Sequence, residues 1–125
     1  MNQKTDKIAI LEKYCNMLLK ENDVRYVGII NNMGRHIAGG YRDKITPLVD
    51  EEEHKIPLEH TMEIMLTKDL DGVLGSVEHI VTTRKKVSMI TIPREKYSVL
   101  ISVERKLDTG KILKKAFASL PTNDV

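Results

Sequence analysis

The sequence predicts an α+β domain in which a five-stranded antiparallel sheet is combined with helices, in the order α-β-β-α-β-β-β-α. Three observations predict it. Apolar residues recur at helical spacing near both ends of the chain, runs rich in β-branched residues lie between, and most of these runs are separated by turns so short that neighbours must pair antiparallel. The length of 125 residues, with 41% hydrophobic and 30% charged side chains, suits one core. The expected organisation is therefore one domain over 1–125, with flexible ends at about 1–5 and 121–125.

In the first helix, read over Asp6 to Lys20, Ile8, Leu11, Cys15, Leu18 and Leu19 recur at steps of three and four while Lys13, Asn16 and Lys20 occupy other faces. Asn22 and Asp23 supply a turn, and Val24 to Asn31 follows as a strand apolar on both faces, hence an interior one. Asn32-Met33-Gly34-Arg35 reads as a hairpin turn returning into His36 to Tyr41, where Gly39 and Gly40 mark a bulge or a close backbone approach. Thr46-Pro47, followed by Asp50 and Glu51 to Glu53, has the chemistry of a helix start: a hydroxyl cap, a tolerated proline and carboxylates at the positive dipole end. Pro57 predicts a break or kink before Leu58, with the helix resuming through Met62, Met65, Leu66 and Leu70 and stopping at Gly72.

Three strands are then expected, Val77 to Thr83, Val87 to Ile92 and Tyr97 to Val103, joined by Arg84-Lys85-Lys86 and Pro93-Arg94-Glu95-Lys96. The last alternates cleanly, with Tyr97, Val99, Ile101 and Val103 on the face that needs an apolar cover. A final helix, capped by Asp108 or Thr109 and ended by Pro121, supplies that cover through Ile112, Leu113, Ala116, Phe117 and Leu120.

This order, the segment VRYVGIINNMGRHIAGGYR from Val24 to Arg42 and the terminal helix resemble the roadblock/LC7 family, whose architecture is profilin-like and longin-like. The phrase INNMGRHIAGGYRDKITPL is also similar to short uncharacterised archaeal proteins. The acidic stretch with Pro57 departs from the roadblock pattern. The resemblance implies a non-catalytic homodimeric module, paired through its second helix and third strand, that docks a Ras-like small GTPase or a scaffold protein. Val77, His79 and Val81 on an expected edge strand, with Met62 and Met65 on the adjoining helix, are the candidate dimer residues. The alternative is that Met62, Met65 and Leu66 face the sheet of their own protomer.

No catalytic constellation emerges. Gly34 to Gly40 has phosphate-loop spacing, but Gly40 and Tyr41 stand where the lysine and the hydroxyl are needed. His36, His54, His60 and His79 form no zinc pattern, and Cys15 sits on an apolar stripe, so neither a metal, a cofactor nor an activated thiolate is expected. A second reading is a small-ligand sensing domain of PAS or profilin type. A third is a weak nucleic-acid binder, whose candidate basic patch is Arg84, Lys85, Lys86, Arg94 and Lys96, extended by Arg105 and Lys106 if these clusters converge. Scattered tyrosines and a net charge of +2 argue against nucleic acid. The lone cysteine predicts a reducing, cytoplasmic setting, the first ten residues predict no secretion leader, and no run predicts membrane insertion.

Overall fold

Helix α1 spans Gln3–Leu19 and is followed by β1 (Val24–Asn31), β2 (His36–Tyr41), α2 (Lys55–Thr67), a 3-10 turn (Lys68–Leu70), a short α3 (Asp71–Leu74), β3 (Ile80–Thr83), β4 (Val87–Pro93), β5 (Tyr97–Glu104) and α4 (Thr109–Ala118). The computed structural model describes residues 3–43 and 55–121, with side chains over 6–43 and 58–121. The helix start expected at Thr46 and Pro47, the acidic run through Glu53, His54, and the outermost residues of both chain ends lie outside the described residues.

All five strands pair antiparallel in the spatial order β2-β1-β5-β4-β3, so β2 and β3 are the edges. The expected order of elements holds, with α3 added after α2. One face carries Val27, Ile29, Ile90, Tyr97, Val99, Ile101 and Val103. It is covered by Leu11, Tyr14, Cys15 and Leu18 of α1 and by Ile112 and Ala116 of α4, so burying these side chains holds the helices to the sheet. The Tyr14 hydroxyl donates to the Ala116 carbonyl at 2.8 Å, tying the helices together. Asp108 begins α4 by accepting from the Gly110 amide at 2.9 Å, satisfying a donor that the first turn leaves open.

The glycine-marked β2 behaves as expected. Its register shifts where Ile29 and Ile30 face it, and Gly39, at φ +84°, lies so close to Val27 that a Cβ would collide with the Val27 carbonyl oxygen.

Three expectations are corrected. Pro57 does not break the described helix: α2 runs through Pro57 and Leu58 to Thr67. Gly72 is not the stop, because it lies within α3, and the chain turns at Gly75, whose φ of +87° suits glycine and whose amide donates to Asp71. Val77, Glu78 and His79 are not in β3. The Arg84 amide bonds the Val87 carbonyl, so by alternation Val87, Met89, Thr91 and Pro93 turn their backbone groups toward β3. Proline has no hydrogen to give residue 78, and the ladder ends at the Ile80–Thr91 pair.

Candidate interaction surface

Register places Ser98, Leu100 and Ser102 of β5 on the second sheet face, level with Thr91 and Met89 of β4 and with Tyr26 of β1. This face mixes a small apolar cluster, Tyr26, Val87, Met89 and Leu100, with buried hydroxyls. Helix α2 meets it with matching polarity: His60 and Thr61 are buried, and His60 Nδ1 lies 2.7 Å from Thr91 Oγ1. Burial holds the His60 imidazole below its ordinary pKa; Glu63 and Glu59 pull the other way, and Arg84 adds to the depression.

Because the inward side of α2 is polar, its apolar stripe points outward. Leu58, Met62, Met65 and Leu66 are exposed, and Leu70, Val73 and Leu74 continue the surface through the 3-10 turn and α3. Leu66 is 80%, Val73 85% and Leu74 74% exposed. So much accessible hydrocarbon on consecutive turns forms an exposed apolar band rather than singly scattered side chains. Between α2 and the sheet end lies a cavity of about 460 Å³, bordered by Thr61, Ile64, Met65, Val77, Arg94 and Ser98 among others.

At the β3 edge, Ile80 and Thr82 turn their backbone groups to β4, which leaves those of Val81 and Thr83 facing outward by alternation. The Val81 side chain lies on the α1 and α4 face, level with Ile90 and Ile101, and is 37% exposed. Just before β3, the exposed His79 ring meets Phe117 of α4 edge-on, centroids 6.1 Å apart.

The candidate dimer residues thus fall into two groups. Met65 and Val77 share the cavity wall with Met62 exposed on the same helix, whereas His79 and Val81 flank the β3 edge from the opposite face. The alternative that Met62, Met65 and Leu66 pack on their own sheet is not what the structure holds. Leu58, Leu70, Val73, Leu74 and Phe117 belong to the exposed apolar surface without having been singled out from sequence as contacts. The signal that finds most of them is the polar pair His60-Thr61, which matches Thr91 and Ser98 better than any apolar stripe does.

The candidate basic residues do not converge. Arg84, Lys85 and Lys86 join β3 to β4, whereas Arg94 and Lys96 lie at the opposite end of β4, where Arg94 Nη2 donates to the Pro121 carbonyl at 3.2 Å. Arg105 and Lys106 follow β5 and lie with the first group, since Glu104 pairs with Val87. Cys15 is fully buried, and burial together with Glu12 pushes its thiol up to about 12, so it is protonated at neutral pH. Among the described residues no His, Cys, Asp and Glu side chains cluster as a metal site, and no helix is long and apolar enough to cross a membrane.

No family model and no curated protein matches the chain. Solved structures do. The gliding protein MglB from Thermus thermophilus superposes with a TM-score of 0.76 at 15% identity, over 90% of this chain and 87% of that one. An MglB structure with tetrameric arrangement gives 0.76 at 12% identity, over 95% and 86%. A roadblock/LC7 domain from Streptomyces avermitilis gives 0.69 at 8% identity, over 86% and 89%. The chain has the roadblock/LC7 fold. In this fold, α2 and the turns after it carry the exposed apolar stripe, and β3 presents an open strand edge.

Proposed function

We propose that the protein is a non-catalytic, homodimeric interaction module that regulates or scaffolds a Ras-like small GTPase. The observation that carries the reading is the outward apolar surface from Leu58 through Leu74 beside an open β3 edge. A second copy covers both at once: its α2 packs on the stripe, and its β3 takes the outward groups of Val81 and Thr83. The likeness to MglB structures, one of them described as a tetrameric arrangement, supports self-assembly, and the roadblock resemblance supplies the GTPase as partner class. Candidate contacts are Met62, Met65, Val77, His79 and Val81, joined by Leu66, Val73 and Leu74.

Light scattering at high micromolar concentration is expected to give twice the 14.3 kDa chain mass, and a strict monomer there overturns the dimer. Affinity capture from native extract, with and without a slowly hydrolysed GTP analogue, is expected to retain a Ras-like GTPase in a nucleotide-dependent way. Captures lacking any such GTPase under either condition overturn that half. One observation favours a second reading, small-ligand sensing: the cavity under α2, at about 460 Å³, has the size of a ligand site. A thermal shift with a metabolite panel tests it.

A further inference from the structure

Antiparallel pairing brings one end of all five strands together: the C-terminal ends of β2, β5 and β3 with the N-terminal ends of β1 and β4. Arg42 directly follows β2, Arg105 and Lys106 follow β5, and Arg84, Lys85 and Lys86 form the β3–β4 turn. In a chain whose net charge is only +2, this end is strongly basic. Of the carboxylates described there, Glu104 pairs with Arg25 at 3.1 Å and Asp23 with Lys106 at 3.5 Å, and Asp43, beside Arg42, is exposed, so basic groups outnumber acidic ones among the described residues of this end. Arg84, Lys85, Lys86 and Arg105 are exposed and in no ion pair among the described residues.

We propose that this strand-end face docks an acidic segment of a protein partner. Adjacent strands are spaced about 4.8 Å apart, so the five ends span roughly 19 Å, the reach of about six extended residues. Arginine forks on such a row match carboxylates two oxygens at a time. A single strand of nucleic acid finds no stacking platform here: Tyr26 is buried, and Tyr41 packs on it with ring centroids 5.0 Å apart. A membrane finds little anchor, because Val81 of β3, 37% exposed, is the one exposed large apolar side chain described on the strands that end here, and the others lie on helices, on the segments that join them or at the other end of the sheet. The face is separate from the α2 surface, and the inference stands without the GTPase reading.

The test uses the full chain and a fluorescent oligoglutamate peptide, followed by anisotropy and by amide chemical shifts. Binding is expected at about 50 mM salt, with steep weakening toward about 200 mM. The variant combining Arg84→Glu, Lys85→Glu and Lys86→Glu is expected to weaken it roughly tenfold or more. Arg35→Glu with Lys96→Glu, exposed in the turns at the opposite end of the sheet, is expected to leave it unchanged, and shifts are expected at 84–86 and 105. Circular dichroism and light scattering on the same variants show that fold and assembly state are kept, which separates loss of docking from loss of the dimer. Absence of peptide binding at low salt overturns the proposal, as does binding indifferent to the 84–86 reversal. Tighter binding of a single-stranded oligonucleotide or of phosphatidylserine vesicles to the same face also overturns it, in favour of that class.

Discussion

His60 of α2 and Thr91 of β4 meet at 2.7 Å across the interface between the helix and the second sheet face, and both are buried. This contact fixes which side of α2 turns inward, and therefore which side carries Met62, Met65 and Leu66 outward. It also makes the placement of α2 pH-dependent. A histidine whose folded pKa is depressed binds fewer protons folded than unfolded, so stability rises with pH through that window. The contribution is complete above about pH 6.5, the ordinary histidine value, and is lost as pH falls toward the lower folded value. Urea midpoints are expected to fall between about pH 7.5 and pH 5.5, and His60→Gln, which keeps a partner for Thr91, is expected to flatten that change. An identical slope in the variant would assign the pH dependence to other groups.

Ile101 is fully buried between Val27 and Ile90 in the central strand pair. Ile101→Asp places a charge there with no partner and is expected to remove more than about 4 kcal/mol, enough to abolish cooperative unfolding in a domain of this size. A retained cooperative melt by circular dichroism would invert the assignment of the two sheet faces.

Much of this sheet was legible in the sequence because each strand run is bounded by turn chemistry: Asn32 to Arg35 and Arg84 to Lys86 bracket the hairpins, and the alternation from Tyr97 to Val103 names the core face. The length of β3 was not, since Val77 and His79 suit a strand in composition and only the missing hydrogen of Pro93, in a register the sequence does not state, ends the ladder. Helix α2 shows the same limit. A stripe of Leu58, Met62, Met65 and Leu66 fits a core as well as it fits an association surface, and the decision lies in Thr91 and Ser98, many residues away. The scattered basic clusters were visible one by one, but which share an end of the sheet follows from strand order alone.

Gly39 and Gly40 are adjacent and differ sharply in what they tolerate. Gly39 has φ +84°, and a Cβ there would strike the Val27 carbonyl and come within 3.0 Å of Cys15 Sγ. A Cβ added at Gly40 would meet nothing within 4 Å beyond its chain neighbours. Gly39→Ala is expected to cost at least about 2 kcal/mol through backbone strain and displacement of β2, whereas Gly40→Ala should stay within about 1 kcal/mol of the parent. Chemical denaturation of the two variants side by side checks the contrast, and equal losses would show that β2 does not press on β1 as described.

Val81 lies at the open edge, with its backbone groups outward and its side chain 37% exposed, while Leu66 stands on the outer side of α2. If a second copy covers both, Val81→Arg and Leu66→Glu each place a charge in an apolar contact and should convert the dimer to a monomer at low micromolar concentration. Neither side chain is part of the protomer's core clusters, so thermal stability of the separated chain should change by only about 1 kcal/mol or less. The two changes address different elements, and their pattern is informative. Loss of the dimer in Leu66→Glu alone would leave the sheets unjoined and the helices as the contact, loss in Val81→Arg alone would assign the contact to the strand edge, and an unchanged mass in both would move the interface off this surface altogether.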